Sequence, residues 1–241
     1  MVKNKDIVFL FDVDGTLTPS REIMNPEFKD WFTQFMKINR VAFVTGSDID
    51  KTIEQIGSDL VNLALYSFNC SGNSVYIQDE LIYKSDWVCP DEIVQYLLAK
   101  LNESEYKYKY GKHIEHRIGM MNFSIVGRNA PSQDRTAYYE WDKIHLEREA
   151  LAKDINSKWE DIHAVVGGET GIDIFAKGND KSRILDHFSS TQKFVFFGDS
   201  MNKSGNDYAL AQAIKNRNNG KCHTVKNWVE TWTILKDKYD W

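Results

Sequence analysis

The chain has 241 residues, 42% of them hydrophobic, 27% charged and 13% aromatic, with four prolines. That is the composition of a folded globular protein with one large or two small domains, and a net charge of −5 excludes a general nucleic-acid-binding surface. The three cysteines, Cys70, Cys89 and Cys222, form neither a C-x-x-C pair nor a zinc spacing, which points to reduced thiols in the cytosol.

In chain order, Ile7 to Phe11 is a short apolar run that reads as a buried strand, too short to span a membrane and followed at once by Asp12 and Asp14. No association with a membrane is expected. Asn25-Pro26 supplies an N-cap and first-turn proline for a helix to about Lys37, with Phe28, Trp31, Phe32 and Phe35 on one face. Val41 to Val44 is a second buried strand, and Asp48 to Ile56 a second helix. This strand–helix alternation implies a parallel sheet covered on both faces, a doubly wound α/β core.

From about Ser85 to Phe175 the pattern changes. The spacing predicts a short helix over Asp91–Leu101, strands near His113–Arg117 and Met120–Val126, and one long helix from Ser132 to about Trp159. Two more strands follow at Ile162–Val166 and Gly171–Phe175. The alternating Tyr106, Tyr108 and Tyr110 also read as a strand. These elements suggest an antiparallel α+β unit inserted into the core: residues 1–84 and 178–241 form the core and 85–177 the insert. The final segment returns to core grammar, with a helix over Asp180–Phe188, a strand at Phe194–Phe197, a helix near Asp207–Ile214, a strand at Cys222–Val225 and a last helix from Asn227.

The chemistry is concentrated in Asp12-Val13-Asp14-Gly15-Thr16, at the carboxyl end of the first strand, where doubly wound sheets place their active sites. One carboxylate beside a magnesium ion can attack phosphorus, and a second two residues on can move a proton on the leaving or attacking oxygen. Ser47, after the second strand, either hydrogen-bonds a phosphoryl oxygen or simply caps a helix. Lys181 sits at the wrong helix end for a cation unless an anion lies near. Asp199 and Asp207 add hard oxygen ligands of the kind magnesium prefers.

Asp12-x-Asp14-Gly15-Thr16, Ser47, Lys181 and Gly198-Asp199 with Asn206-Asp207 resemble, in order, the four motifs of the haloacid dehalogenase superfamily of phosphotransferases. The resemblance implies Asp12 as nucleophile, Asp14 as general acid/base, Ser47 and Lys181 as phosphoryl stabilisers, and Asp12, Asp14, Asp199 and Asp207 around the metal.

Within that superfamily the chain is most similar to eukaryotic-type α-phosphomannomutases, through Arg21, Gln55-x-Gly57, Arg117-x-Gly119-Met120-x-Asn122, Gly127-Arg128, Ser132-Gln133-x-Arg135 and Asp173-x-Phe175. That similarity implies interconversion of mannose 6-phosphate and mannose 1-phosphate, with hexose 1,6-bisphosphate as intermediate and activator. Arg21, Arg117, Arg128 and Arg135 would hold the phosphate distant from Asp12, with Asn122 and Asp173 at the sugar. A sugar-phosphate phosphatase sharing the first half-reaction is the alternative. The chain departs from the family at Thr45, Gly171 and Ser71-Gly72-Asn73, where a glycine, a serine and a Glu-Asn-Gly turn are usual. Trp141, Ile144 and Arg148 offer either a homodimer face on the insert or a core face.

Overall fold

The computed structural model describes residues 6–239, and among these two sheets form. The larger sheet has strand order β11-β10-β1-β2-β3-β4-β5. Its parallel part comprises β11 (Gly220–Thr224), β10 (Lys193–Gly198), β1 (Ile7–Phe11), β2 (Arg40–Val44) and β3 (Tyr66–Asn69). Two antiparallel strands, β4 (Ser74–Ile77) and β5 (Glu80–Lys84), extend one edge.

Successive residues of a strand point to opposite faces, so the apolar runs of β1, β2 and β10 must be covered twice. Phe9, Phe11, Val41, Phe43, Val195 and Phe197 pack on one face against α1 (Pro26–Ile38) and α8 (Trp228–Tyr239). Val8, Leu10, Ala42, Val44, Phe194 and Phe196 pack on the other, against α7 (Tyr208–Arg217) and the 3₁₀ helix Lys181–His187. Phe11 meets Phe32 edge-on at 5.0 Å between ring centroids and stacks on Phe197 at 5.1 Å. Truncating such a ring to alanine costs about 3–5 kcal/mol, and at Phe11 it would also loosen the backbone of Asp12. The expected cap of α1 is present: Asn25 Oδ1 accepts from Phe28 N at 3.1 Å, with Pro26 in the first turn.

The smaller sheet, order β6-β7-β9-β8, is antiparallel throughout: β6 (Ile114–Arg117), β7 (Met120–Phe123), β9 (Gly171–Ala176) and β8 (Ile162–Gly167). Its Met121, Phe123, Ile172 and Ile174 pack under α4 (Asp91–Glu103), α5 (Ser132–His145) and α6 (Glu147–Lys158). The opposite face carries polar side chains. Glu115, Asn122 and Asp173 are register partners across three strands, and Arg117 lies two residues from Glu115.

Several elements differ from the sequence expectation. The single helix expected from Ser132 to Trp159 is broken at Leu146, whose backbone is left-handed (φ 53°). The tyrosine run is not a strand. Tyr106 instead packs its ring on Tyr138 and Trp141, because the aromatic cluster beneath α5 is a better partner than a sheet edge. The helix expected over Asp180–Phe188 is 3₁₀ rather than α. β3, β4, β5, α2 (Ile49–Ile56) and the short α3 (Ser58–Leu63) complete the core.

Candidate active site

The carboxyl ends of β1, β2 and β10 lie side by side, so Asp12, Thr45 and Asp199 emerge at one edge of the sheet. Asp12 N donates to Phe197 O at 2.9 Å, extending the β1–β10 ladder by one bond and fixing the carboxylate's origin. Asp12 is 4% exposed, Lys181 1% and Asp207 fully buried. Lys181 Nζ donates to Asp12 Oδ1 at 2.6 Å and to Asp207 Oδ1 at 2.7 Å, while Asp207 Oδ2 accepts from Ser200 N at 3.1 Å. A buried lysine is tolerated only when its charge is matched in this way.

Asp12, Asp199 and Asp207 each present a carboxylate oxygen within 4.8 Å of the others. Glycine permits the approach: Gly15 has φ +75°, and a Cβ there would stand 2.6 Å from Asp199 Oδ2. Burial pushes the Asp12 carboxyl well above the usual range; Lys181 opposes this, and Asp207 and Asp199 add to it. Desolvation among the neighbouring acids, reinforced by Asp207 against the pull of Lys181, pushes Asp199 up to about 7, although this residue is exposed where Asp12 and Asp207 are buried. For Lys181 burial works against the charge, but the two carboxylates outweigh it and hold its pKa above the ordinary value. Three acids share one cation, and raised carboxyl pKa values are the electrostatic mark of that imbalance. A hard divalent cation would redress it, and an all-oxygen donor set fits magnesium.

Asp14 stands outside this triad. Its Oδ1 accepts from Arg21 N at 2.6 Å and Gln55 Nε2 at 2.9 Å, and its Oδ2 from Ser47 Oγ at 3.3 Å. Arg21 adopts a left-handed backbone (φ 59°) to deliver that N–H, a strain of the kind found at functional sites. Ser47 is not the helix cap; Asp48 is, accepting from Lys51 N at 2.9 Å, which leaves the serine hydroxyl directed at Asp14.

A cleft of about 310 Å³ joins this edge to the polar face of the smaller sheet. Asp12, Asp14, Arg21, Ser47 and Asp199 line one side, and Arg117, Asn122, Arg128 and Asp173 the other. Asn122 Nδ2 donates to Asp173 Oδ1 at 2.8 Å, and Arg128 donates to Asn122 Oδ1 at 3.2 Å. Gly171 leaves room for that amide, since a Cβ there would lie 2.5 Å from Asn122 Nδ2. Thr45 Oγ1 accepts from Ser47 N at 3.1 Å. Arg117 reaches across to the core, donating to Gly46 O at 2.6 Å.

Glu115 was not legible as a site residue. Its carboxylate bridges Arg117 at 2.8 Å and Arg128 at 2.7 Å. Its spacing of two from Arg117 on a strand is the signal that places both on one face. Even so, cations prevail here. Burial, with Arg21 and Arg117 nearby, pushes Arg128 down to about 10 against the pull of Glu115. Burial and Arg135 lower Arg21. Arg128 lies in a turn beyond β7 rather than at a strand end; Arg135, in the first turn of α5, is not among the residues lining the cleft, but its charge acts on Arg21, which is. Among the described residues, the buried Nε groups of Arg117 and Arg135 have no hydrogen-bond acceptor.

A parallel sheet whose carboxyl edge gathers Asp12, Asp14, Ser47, Lys181 and Asp199, under an antiparallel lid, defines the haloacid dehalogenase class of fold. Solved structures agree on the fold. An N-terminally truncated IMP-nucleotidase of Plasmodium falciparum superposes with a TM-score of 0.63 at 16% identity, covering 97% of this chain and 70% of that one. A trehalose-6-phosphate phosphatase related protein gives 0.56 at 15% identity, covering 95% and 96%.

A sequence model of the eukaryotic phosphomannomutases matches residues 28–240. The phosphomannomutase of Dendrobium officinale is 31% identical over 215 residues, covering 86% of this chain and 85% of its own. That of Saccharomyces cerevisiae is 30% identical over 245 aligned residues, covering 98% and 95%, a span that takes in the Asp12 motif. The chain belongs to the eukaryotic phosphomannomutase family.

Proposed function

We propose that this protein is a phosphomannomutase, interconverting mannose 6-phosphate and mannose 1-phosphate through an aspartyl-phosphate on Asp12. The observation that carries the reading is the single cleft with a carboxylate nucleophile on one wall and an arginine cluster on the other. A phosphatase needs only the first. A mutase must also hold the sugar's second phosphate while the first reacts, and then accept the bisphosphate in the opposite orientation.

In the first half-reaction an Asp12 oxygen attacks phosphorus of a hexose 1,6-bisphosphate. The bond from phosphorus to the sugar oxygen breaks as the new one forms, and Asp14 supplies the proton to the leaving oxygen. Ser47, Gln55 and the Arg21 amide hold Asp14 for that transfer. In the second half-reaction a hydroxyl of a hexose monophosphate gives its proton to Asp14 and takes the phosphoryl group from Asp12. Lys181 opposes the burial that favours a protonated Asp12 and aims its carboxylate. Arg21, Arg117 and Arg128 bind the distal phosphate through charge-assisted hydrogen bonds, and Arg135, whose charge acts on Arg21, adds to the positive potential there. Asn122 and Asp173 face the sugar hydroxyls. Asp12, Asp199 and Asp207 would hold magnesium, which would offset negative charge on the transferring group.

The proposal extends to hexose 1,6-bisphosphate as activator and to action in the cytosol, supported by three free thiols. None of the described helices is long and apolar enough to cross a membrane. It also extends to a homodimer through the insert, now centred on Ile144, which is 79% exposed, because Arg148 is buried. Sedimentation of the Ile144→Glu variant checks that point, with a monomer expected.

The activity is tested by incubating mannose 1-phosphate with enzyme, magnesium and a trace of hexose 1,6-bisphosphate. Mannose 6-phosphate is the expected product. Inorganic phosphate alone would establish the phosphatase instead.

A further inference from the structure

The break between α5 and α6 is built around one ion pair. Leu146 N donates to Asp142 O at 2.7 Å, the last-turn bond of α5, and Arg148 N in the first turn of α6 donates to Asp142 Oδ1 at 3.0 Å, so Asp142 ties the two helix ends together. Arg148 Nε then donates to Asp142 Oδ2 at 2.7 Å, with both residues buried at 4% and 6% exposure. Stability alone does not call for such a pair, since apolar residues of similar volume serve as well or better.

The remaining contact supplies a reason. An outer nitrogen of Arg148 donates to Gly168 O at 2.8 Å. Gly168 lies in the turn between β8 and β9, and residues 167–171 all line the cleft. On its other side the same hairpin is fastened to the core: Val166 N donates to Ser204 O at 3.1 Å, in the loop between Asp199 and Asp207. The turn is therefore clamped between the insert's helices and the loop bearing two acidic residues of the triad.

We propose that Arg148 is a positioning residue for the reaction: through Gly168 O it fixes the 168–170 turn as a wall of the cleft, so that a hexose phosphate is enclosed there. It touches no substrate. The inference rests on the reading of this cleft as a hexose-phosphate site and deepens it.

Removing Arg148 alone strands the Asp142 charge and risks unfolding, so the test uses the pair Asp142→Leu/Arg148→Met, which fills the space and deletes the link to Gly168. Two measurements are made. Calorimetry in an Asp12→Asn background reads the Kd for mannose 6-phosphate. Turnover of p-nitrophenyl phosphate, which carries neither a sugar nor a second phosphate, is read with Asp12 intact. The expected result is a Kd weakened about tenfold with p-nitrophenyl phosphate turnover within about twofold of the parent, the scale of loss that follows a displaced positioning element. An unchanged Kd, or both readouts falling together, overturns the assignment. The mutase reading fails separately, if the parent enzyme releases only inorganic phosphate from mannose 1-phosphate.

Discussion

Lys181→Met removes one ammonium from a site holding three carboxylates while keeping similar volume. In the parent, Lys181 Nζ lies 2.6 Å from Asp12 and 2.7 Å from Asp207, with no side-chain exposure. Deleting one partner of a buried pair costs about 3–5 kcal/mol because the other charge is left uncompensated. For a chain of this size that lowers the melting temperature by roughly 6–20 °C. The penalty depends on pH. Burial already raises Asp12, and without the lysine it takes up a proton more readily, so the loss shrinks in acid. Differential scanning calorimetry in EDTA at pH 8 and pH 5 measures both effects. Equal stability of variant and parent at pH 8, or a deficit that does not shrink at pH 5, would refute the reasoning.

The metal-free acids give a second pH signature. Asp12 and Asp199 have raised pKa values in the folded state, Asp199 at about 7. Between roughly pH 4 and pH 7 the folded protein therefore binds more protons than the unfolded one, and this contribution to stability falls as pH rises. Added magnesium should raise the melting temperature more at pH 8 than at pH 5, and a pH-independent increment would contradict the shared site. Leu146→Gly, at a left-handed position, should stabilise the protein by about 0.5–1 kcal/mol in urea titrations by relieving Cβ strain. Arg117→Met removes a cation from the proposed distal-phosphate wall and should raise KM for mannose 1-phosphate by about tenfold or more, with the KM for p-nitrophenyl phosphate nearly unchanged.

How far the sequence discloses this molecule depends on how local each cause is. β1, β2 and β10 are continuous apolar runs because parallel strands are buried on both faces, and each ends at a polar residue of the site. Three of the four motif segments are therefore legible at strand ends, and Lys181, at the start of a 3₁₀ helix, is legible by its place between them. β5, Glu80–Lys84, is exposed along its length and carries only the three-residue apolar run Leu81-Ile82-Tyr83, too short to stand out. The break at Leu146 carries neither glycine nor proline. It follows from the Asp142–Arg148 pair, which sequence alone does not join to the Gly168 carbonyl. Tyr106, Tyr108 and Tyr110 alternate like a strand, yet the side-chain packing of Tyr106 under α5 prevails over periodicity. The cleft face of the smaller sheet is partly legible: Arg117, Asn122 and Asp173 stand out, while Glu115 emerges only once β6 and β7 are in register.

Asp12 is the proposed carrier of the phosphoryl group. The most direct test is to mix the protein with hexose 1,6-bisphosphate and magnesium, quench in acid within milliseconds and map the modified peptide by mass spectrometry. One phosphoryl group on the Asp12 carboxylate, absent in Asp12→Asn and present in Asp14→Asn, is the predicted result. A phosphorylated residue elsewhere, or labelling that survives Asp12→Asn, would contradict it.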